Sequence, residues 1–154
     1  MPEYLIAQND IGYKAAAQLF KAYAAWLTID LGFQHFDEEL RHLKEMYNAV
    51  DGGIILCKEG DHFIGCVAVR KNKEDIAELK RMYVLPEHQH KGIGKVLLEK
   101  ALELAVKCNY QLVRLDTLST MIPAINLYKK YGFYEIPSYY HNPVSTAVYF
   151  EKKL

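Results

Sequence analysis

Cysteine is scarce in this 154-residue chain: only Cys57, Cys66 and Cys108 are present. They are odd in number and form no Cys-x-x-Cys pair, which argues against a disulfide scaffold and a thiolate zinc site. Each lies among apolar neighbours, so packing is the expected role. A surplus of either charge is also missing, since 19 Lys and Arg offset 19 Asp and Glu. A protein built to grip nucleic acid carries a basic excess, and no nucleic-acid partner is expected. No apolar run reaches the ~18 residues of a membrane span, and mean hydropathy is -0.14. No membrane association is expected. Met1 to Asp10 lacks a basic segment followed by an apolar stretch, so no signal peptide is read there. A cytoplasmic location follows as the expectation. No repeat, low-complexity tract or linker divides the sequence, and 51% of it is hydrophobic. One domain over residues 1–154, with a substantial core, is expected.

Hydrophobic periodicity supplies the elements. Tyr4 to Ala7 reads as a strand, and Asn9 and Asp10 as cap chemistry for a helix from about Ile11 to Leu27. Asp37 can cap a second helix, with Leu40, Leu43, Tyr47 and Val50 on one face. Three strands follow in a meander: Ile54 to Lys58, Phe63 to Arg70 and Ile76 to Val84. A long helix begins at Gly92-Ile93-Gly94, then a strand from Leu112 to Thr117, a helix opened by Pro123, and strands near Phe133 to Ile136 and Ala147 to Glu151. The order is β-α-α-β-β-β-α-β-α-β-β. This is an α/β chain with a mixed sheet, mainly antiparallel, and one β-α-β crossover around the glycine pair.

The stretch from Glu78 to Lys95 carries the chemistry. A strand ends, a short loop follows, and a helix opens on Gly-x-Gly. Helix N-termini present unpaired N–H groups and positive partial charge, and glycines let an anion approach the backbone. Gln89, His90, Lys91 and Lys95 add donors or charge around that point. Together these read as a diphosphate cradle. A Walker A loop needs Ser or Thr after Gly94-Lys95, and Val96 stands there. A dinucleotide fingerprint needs a third glycine at position 97, which is Leu. No metal is expected: His88-x-His90 lacks a third ligand. No Gly-x-Ser-x-Gly or reactive-cysteine motif supports hydrolysis. The basic residues Lys71 to Lys73 and Lys80-Arg81 are interrupted by acids and read as a solvated face.

Gln89-x-x-Gly92-x-Gly94, following Met82-Tyr83-Val84-x-Pro86, resembles the acetyl-CoA signature of the GNAT superfamily of N-acetyltransferases. Ala124-Ile-Asn-Leu-Tyr128-Lys-Lys-Tyr-Gly132-Phe133 is similar to its second hallmark. Gln34-His-Phe36-Asp-Glu-Glu39-Leu40 and Ile136-Pro-Ser-Tyr-Tyr-His-Asn-Pro143 resemble a bacterial-type branch of it. The resemblance covers essentially the whole chain. It implies the GNAT acyl-CoA N-acyltransferase fold, acetyl-CoA as cosubstrate, and transfer of acetyl directly to a primary amine. It implies that backbone groups of Met82, Tyr83 and Val84 pair with the pantetheine arm, with one amide serving as oxyanion donor. The backbone from His90 through Gly92, Ile93, Gly94 and Lys95 would take the pyrophosphate. Tyr128 matches the general acid that protonates the departing thiolate. Tyr131 is the neighbouring candidate for that role or, instead, a CoA contact, and Glu78 is the candidate base, acting through water. Many members have Asn where this chain has Met121, with Asn126 the candidate substitute.

In such a fold the first helices and the last strands wall the acceptor side. Candidates are Trp26, Gln34, Phe36 and Glu39, then Tyr139, Tyr140, His141 and Asn142. Aromatic walls with one or two carboxylates would suit a small ammonium-bearing substrate. Tyr139 and Tyr140 sit in a Pro-bounded loop, the kind of segment that serves a site or a homodimer contact. A second reading from another class remains open: a CoA- or metabolite-binding sensor or interaction module of the same fold, without turnover.

Overall fold

Consecutive apolar residues in the middle strands point alternately to opposite sides, and both sides are covered. Ile54 and Leu56 join one buried cluster, while Ile55 and Cys57 join the other. That arrangement is a sheet between two layers of helices, seen in a computed structural model that describes all residues from 1 to 154. The strands are β1 (Glu3–Ile6), β2 (Gly53–Glu59), β3 (His62–Lys73), β4 (Ile76–Val84), β5 (Leu112–Leu118), β6 (Tyr134–Ile136) and β7 (Ala147–Lys153). They form one 7-stranded sheet in the order β1-β2-β3-β4-β5-β7-β6. Only the β4–β5 pairing is parallel; all others are antiparallel.

Helix α1 (Asp10–Leu27) is capped by the Asn9 side chain, which accepts from the Gly12 amide at 2.9 Å. Its Ala16, Leu19 and Phe20 pack on one sheet face with Tyr47. Helix α4 (Ile93–Lys107), the crossover from β4 to β5, buries Ile93, Leu97, Ala101, Leu104 and Ala105 on the other face. Helix α5 (Ile122–Lys130) follows β5. The expected second helix is instead two short pieces, α2 (Phe36–Arg41) and α3 (Leu43–Met46), broken at His42. It starts from a left-handed His35, not from an Asp37 cap, and Val50 is exposed. Leu43 and Tyr47 are buried as expected. Cys57 and Cys66 are buried and Cys108 partly so, all three unpaired. No helix is long and apolar enough to cross a membrane.

Two features of β4 create the site. It pairs with β5 only from Ile76 to Glu78, so the β5-facing edge beyond Glu78 has no strand partner. Its register with β3 also slips between Ala68–Lys80 and Cys66–Tyr83. At this bulge Arg81 adopts a left-handed φ of 59°. A bulge breaks the alternation of side chains. Lys80 and Arg81 consequently both reach toward the α2 side, where they meet Gln34 and Glu39. Met82 and Val84 pack toward α4.

Candidate active site

The splay between β4 and β5 opens into a cavity of about 590 Å³. At one end lies the glycine loop. His90 and Gly92 are left-handed, with φ of 65° and 82°, and the amides of His90 to Lys95 have no backbone acceptor. A Cβ at Gly92 or Gly94 would meet nothing within 4 Å, so both glycines border open space. Unpaired amides at a helix start beside open space suit a diphosphate. The unpaired β4 edge suits an extended arm carrying amides. The expected cosubstrate therefore fits this half of the cavity. Gln89 serves the loop indirectly: its Nε2 donates to the Val84 carbonyl at 2.9 Å and ties loop to strand. Met82, Tyr83, Val84, Gln89, His90, Gly92, Ile93, Gly94 and Lys95 all line the cavity. Lys91 does not; it faces solvent.

Tyr128 is buried against Phe133 and lines the middle of the cavity. No side-chain hydrogen bond holds its hydroxyl. Burial, reinforced by Tyr23 and Asp116, pushes its pKa up, so it is protonated at neutral pH. Its neighbours on the cavity face are Ala124 and Leu127. Asn126 lies off that face and is exposed, so it cannot replace the side chain missing at Met121, which itself lines the wall. Tyr131 also lies outside the cavity, packed against the core beneath α4.

The acceptor end departs most from expectation. Glu39 is no ligand for an amine. It is buried and takes two hydrogen bonds from Arg81, at 3.0 and 2.8 Å, and a third from Tyr47 at 3.0 Å. Phe36 packs under the Arg81 guanidinium instead of lining the cavity. Glu78 is turned away as well. One carboxylate oxygen accepts from Arg70 at 3.0 Å and the other from Tyr139 at 2.7 Å. Burial would raise its pKa, but Lys80, Arg70 and Tyr139 outweigh that and hold it below the ordinary value. Such a carboxylate is a poor proton acceptor, and it does not line the cavity.

The cavity wall here is made by Gln34 and Asn142, as expected, and by residues that were not expected. Lys80 and Arg81, read as a solvated face, are only 8% and 5% exposed. Lys80 Nζ donates to Gln34 Oε1 at 3.2 Å. Burial lowers its pKa more than Glu78 raises it. Tyr140 stands behind the wall: its hydroxyl donates to Asp116 at 2.7 Å and accepts from Gln34 and Asn142 at 3.0 and 3.1 Å. Tyr139 and Tyr140 meet Tyr149 edge-on and, against expectation, neither lines the cavity; from the Pro-bounded loop only Asn142 does. Trp26, a candidate from the sequence, lines the cavity, as do Tyr23, Asp116 and Thr117, which were not.

Comparison with known proteins agrees with this architecture. The Acetyltransferase (GNAT) family model matches residues 18–133. An N-acetyltransferase of Schizosaccharomyces pombe is 37% identical over 134 residues, spanning 85% of this chain and 82% of that protein. An N-acetylaspartate synthetase of Xenopus tropicalis is 39% identical over 82 residues, 53% of this chain and 30% of that one. The PaiA N-acetyltransferase of Thermoplasma acidophilum, in complex with coenzyme A, shares the fold. It has a TM-score of 0.76 and 20% identity over 100% of this chain and 99% of that one. The chain accordingly belongs to the GNAT family of acetyltransferases, which work on acyl-CoA donors.

Proposed function

We propose that residues 1–154 form a single N-acetyltransferase domain that moves the acetyl group of acetyl-CoA directly to the primary amine of a small molecule. One observation carries this reading: the glycine loop, the free edge of β4 and Tyr128 border one continuous cavity. Bound there, acetyl-CoA supplies an acyl group already activated as a thioester. Met82 to Val84 and the amides of His90 to Lys95 hold it, and an amide of β4 steadies the carbonyl oxygen as it gains charge. Holding both reactants in one slot supplies much of the acceleration.

Amide formation joins the amine nitrogen to the acyl carbon as the carbon–sulfur bond breaks. The ammonium must first lose one proton; after attack the nitrogen sheds a second, and the thiolate gains one on leaving. Tyr128 donates to the thiolate and is restored by the nitrogen's second proton. Asp116 takes the first in place of Glu78, because Asp116 lines the cavity whereas both Glu78 oxygens are occupied. The N-acetylaspartate synthetase match, named for an amino-acid product, supports a small acceptor over a protein one. The test is thiol release on mixing the protein with acetyl-CoA and a broad amine panel. Release that depends on amine is the expected result; none above background with any amine would contradict the reading.

A further inference from the structure

The charges around the acceptor end pair off, with two left over. Glu78 holds Arg70, Glu39 holds Arg81, and Glu151 holds Arg114, all at 2.8–3.0 Å. Lys80 and Asp116 belong to no ion pair, yet both line the cavity. Lys80 is 8% exposed and uses one of its three donor protons, on Gln34. Only Oδ2 of Asp116 is engaged, by Tyr140. Burying a charge is costly unless it is paired. Glu78 and Asp116 act on Lys80 only from beyond contact distance, so a buried lysine and a nearby carboxylate each face the cavity without a contacting counter-ion, which a ligand of opposite polarity would bring.

We infer that the acceptor is a zwitterionic amino acid, its carboxylate taken by Lys80 Nζ and its ammonium by Asp116 Oδ1. Gln34, Tyr140 and Asn142 form a hydrogen-bonded brace that holds the two charged groups apart at a fixed spacing. Asp116 also lies near enough to Tyr128 to raise its pKa, which puts the ammonium at the reacting side of the cavity. Aromatic walls alone would admit any amine; the lysine selects those that carry an anion.

The inference rests on the acetyltransferase reading, and the experiment separates the two. Rates with acetyl-CoA are measured for alanine, ornithine and phenylalanine, and for ethylamine, putrescine and phenethylamine, which lack only the carboxylate; aspartate and glutamate are added. The same compounds are titrated calorimetrically into the CoA-loaded protein. The amino acids should exceed their carboxylate-free partners in kcat/KM by tens of fold to about a hundredfold, as expected for a hydrogen bond to a buried charge. They should also give binding heat where the amines give none. Lys80→Met should erase most of that preference through KM while acetyl-CoA still binds. If the simple amines match or outrun the amino acids in the wild-type protein, the inference falls and the acetyltransferase reading stands. If neither class is acetylated while acetyl-CoA binds, both fall. The wild-type comparison decides even if the variant does not fold.

Discussion

Removing the Glu39 carboxylate should cost this protein a large part of its stability and disturb its cosubstrate slot. The Arg81 guanidinium is buried and its charge is met by Glu39 alone, through two hydrogen bonds. Glu39→Ala would leave that cation uncompensated, at a cost of about 3–5 kcal/mol. Tyr47 would lose its acceptor, adding ~1 kcal/mol. Against a typical domain stability of about 5–15 kcal/mol, this is a third or more. With a urea slope of about 2 kcal/mol per M, the midpoint should fall by roughly 2–3 M. Arg81 also holds a left-handed backbone at the bulge that turns β4 toward the cavity. A non-glycine residue pays about 1–2 kcal/mol for that conformation, and the ion pair offsets it. Weaker acetyl-CoA binding should therefore accompany the loss of stability. Urea unfolding followed by circular dichroism, with calorimetry on whatever remains folded, reads both. Replacing both partners, with Glu39→Leu and Arg81→Met together, should recover much of the stability. A Glu39→Ala loss below ~1 kcal/mol would refute the claim that this pair holds the bulge.

Tyr128→Phe should lower kcat by about 10²-fold or more while leaving acetyl-CoA affinity within a few-fold, judged by steady-state rates and calorimetry. Unchanged kcat would remove Tyr128 from the acid role. Glu78 is held ionised below its ordinary value. Its contribution to stability is thus fully present above the unfolded pKa of about 4.3, and is lost as pH falls through the lower folded value. Glu78→Gln should lower stability at neutral pH and flatten the acid limb below about pH 4.3, as followed by Tm; an unchanged acid limb would count against it.

Most of the architecture was legible because it rests on periodicity and punctuation. Strand β4 lies where the sequence predicts it, from Ile76 to Val84, and α4 starts at the glycine pair. The second helix was misread because Leu40, Leu43 and Tyr47 keep helical spacing across the break at His42, and only tertiary packing places that break. Lys80 and Arg81 were misread for a different reason. Charges in a strand normally mark solvent, and the groups that bury these two, Gln34 and Glu39, lie more than forty positions away. A hint was available: Glu78, Lys80 and Arg81 are set among apolar residues in one short strand, and all three are buried. Asn126 was a failure of helix geometry. Residues 124, 127 and 128 share the cavity face, and position 126 turns away from it. Asp116 carried no motif at all; its place at the mouth of the splay is a property of the sheet.

The central claim is that the slot between β4 and β5 holds acetyl-CoA with its diphosphate on the glycine loop. Calorimetric titration of the purified protein and of Gly94→Glu tests it most directly. Position 94 has an ordinary helical start and open space beyond it, so the variant places a carboxylate in the cavity without straining the fold. The account predicts saturable one-to-one binding at micromolar acetyl-CoA, lost in Gly94→Glu with circular dichroism unchanged. Binding that is absent at millimolar ligand, or equally tight in the variant, would contradict it.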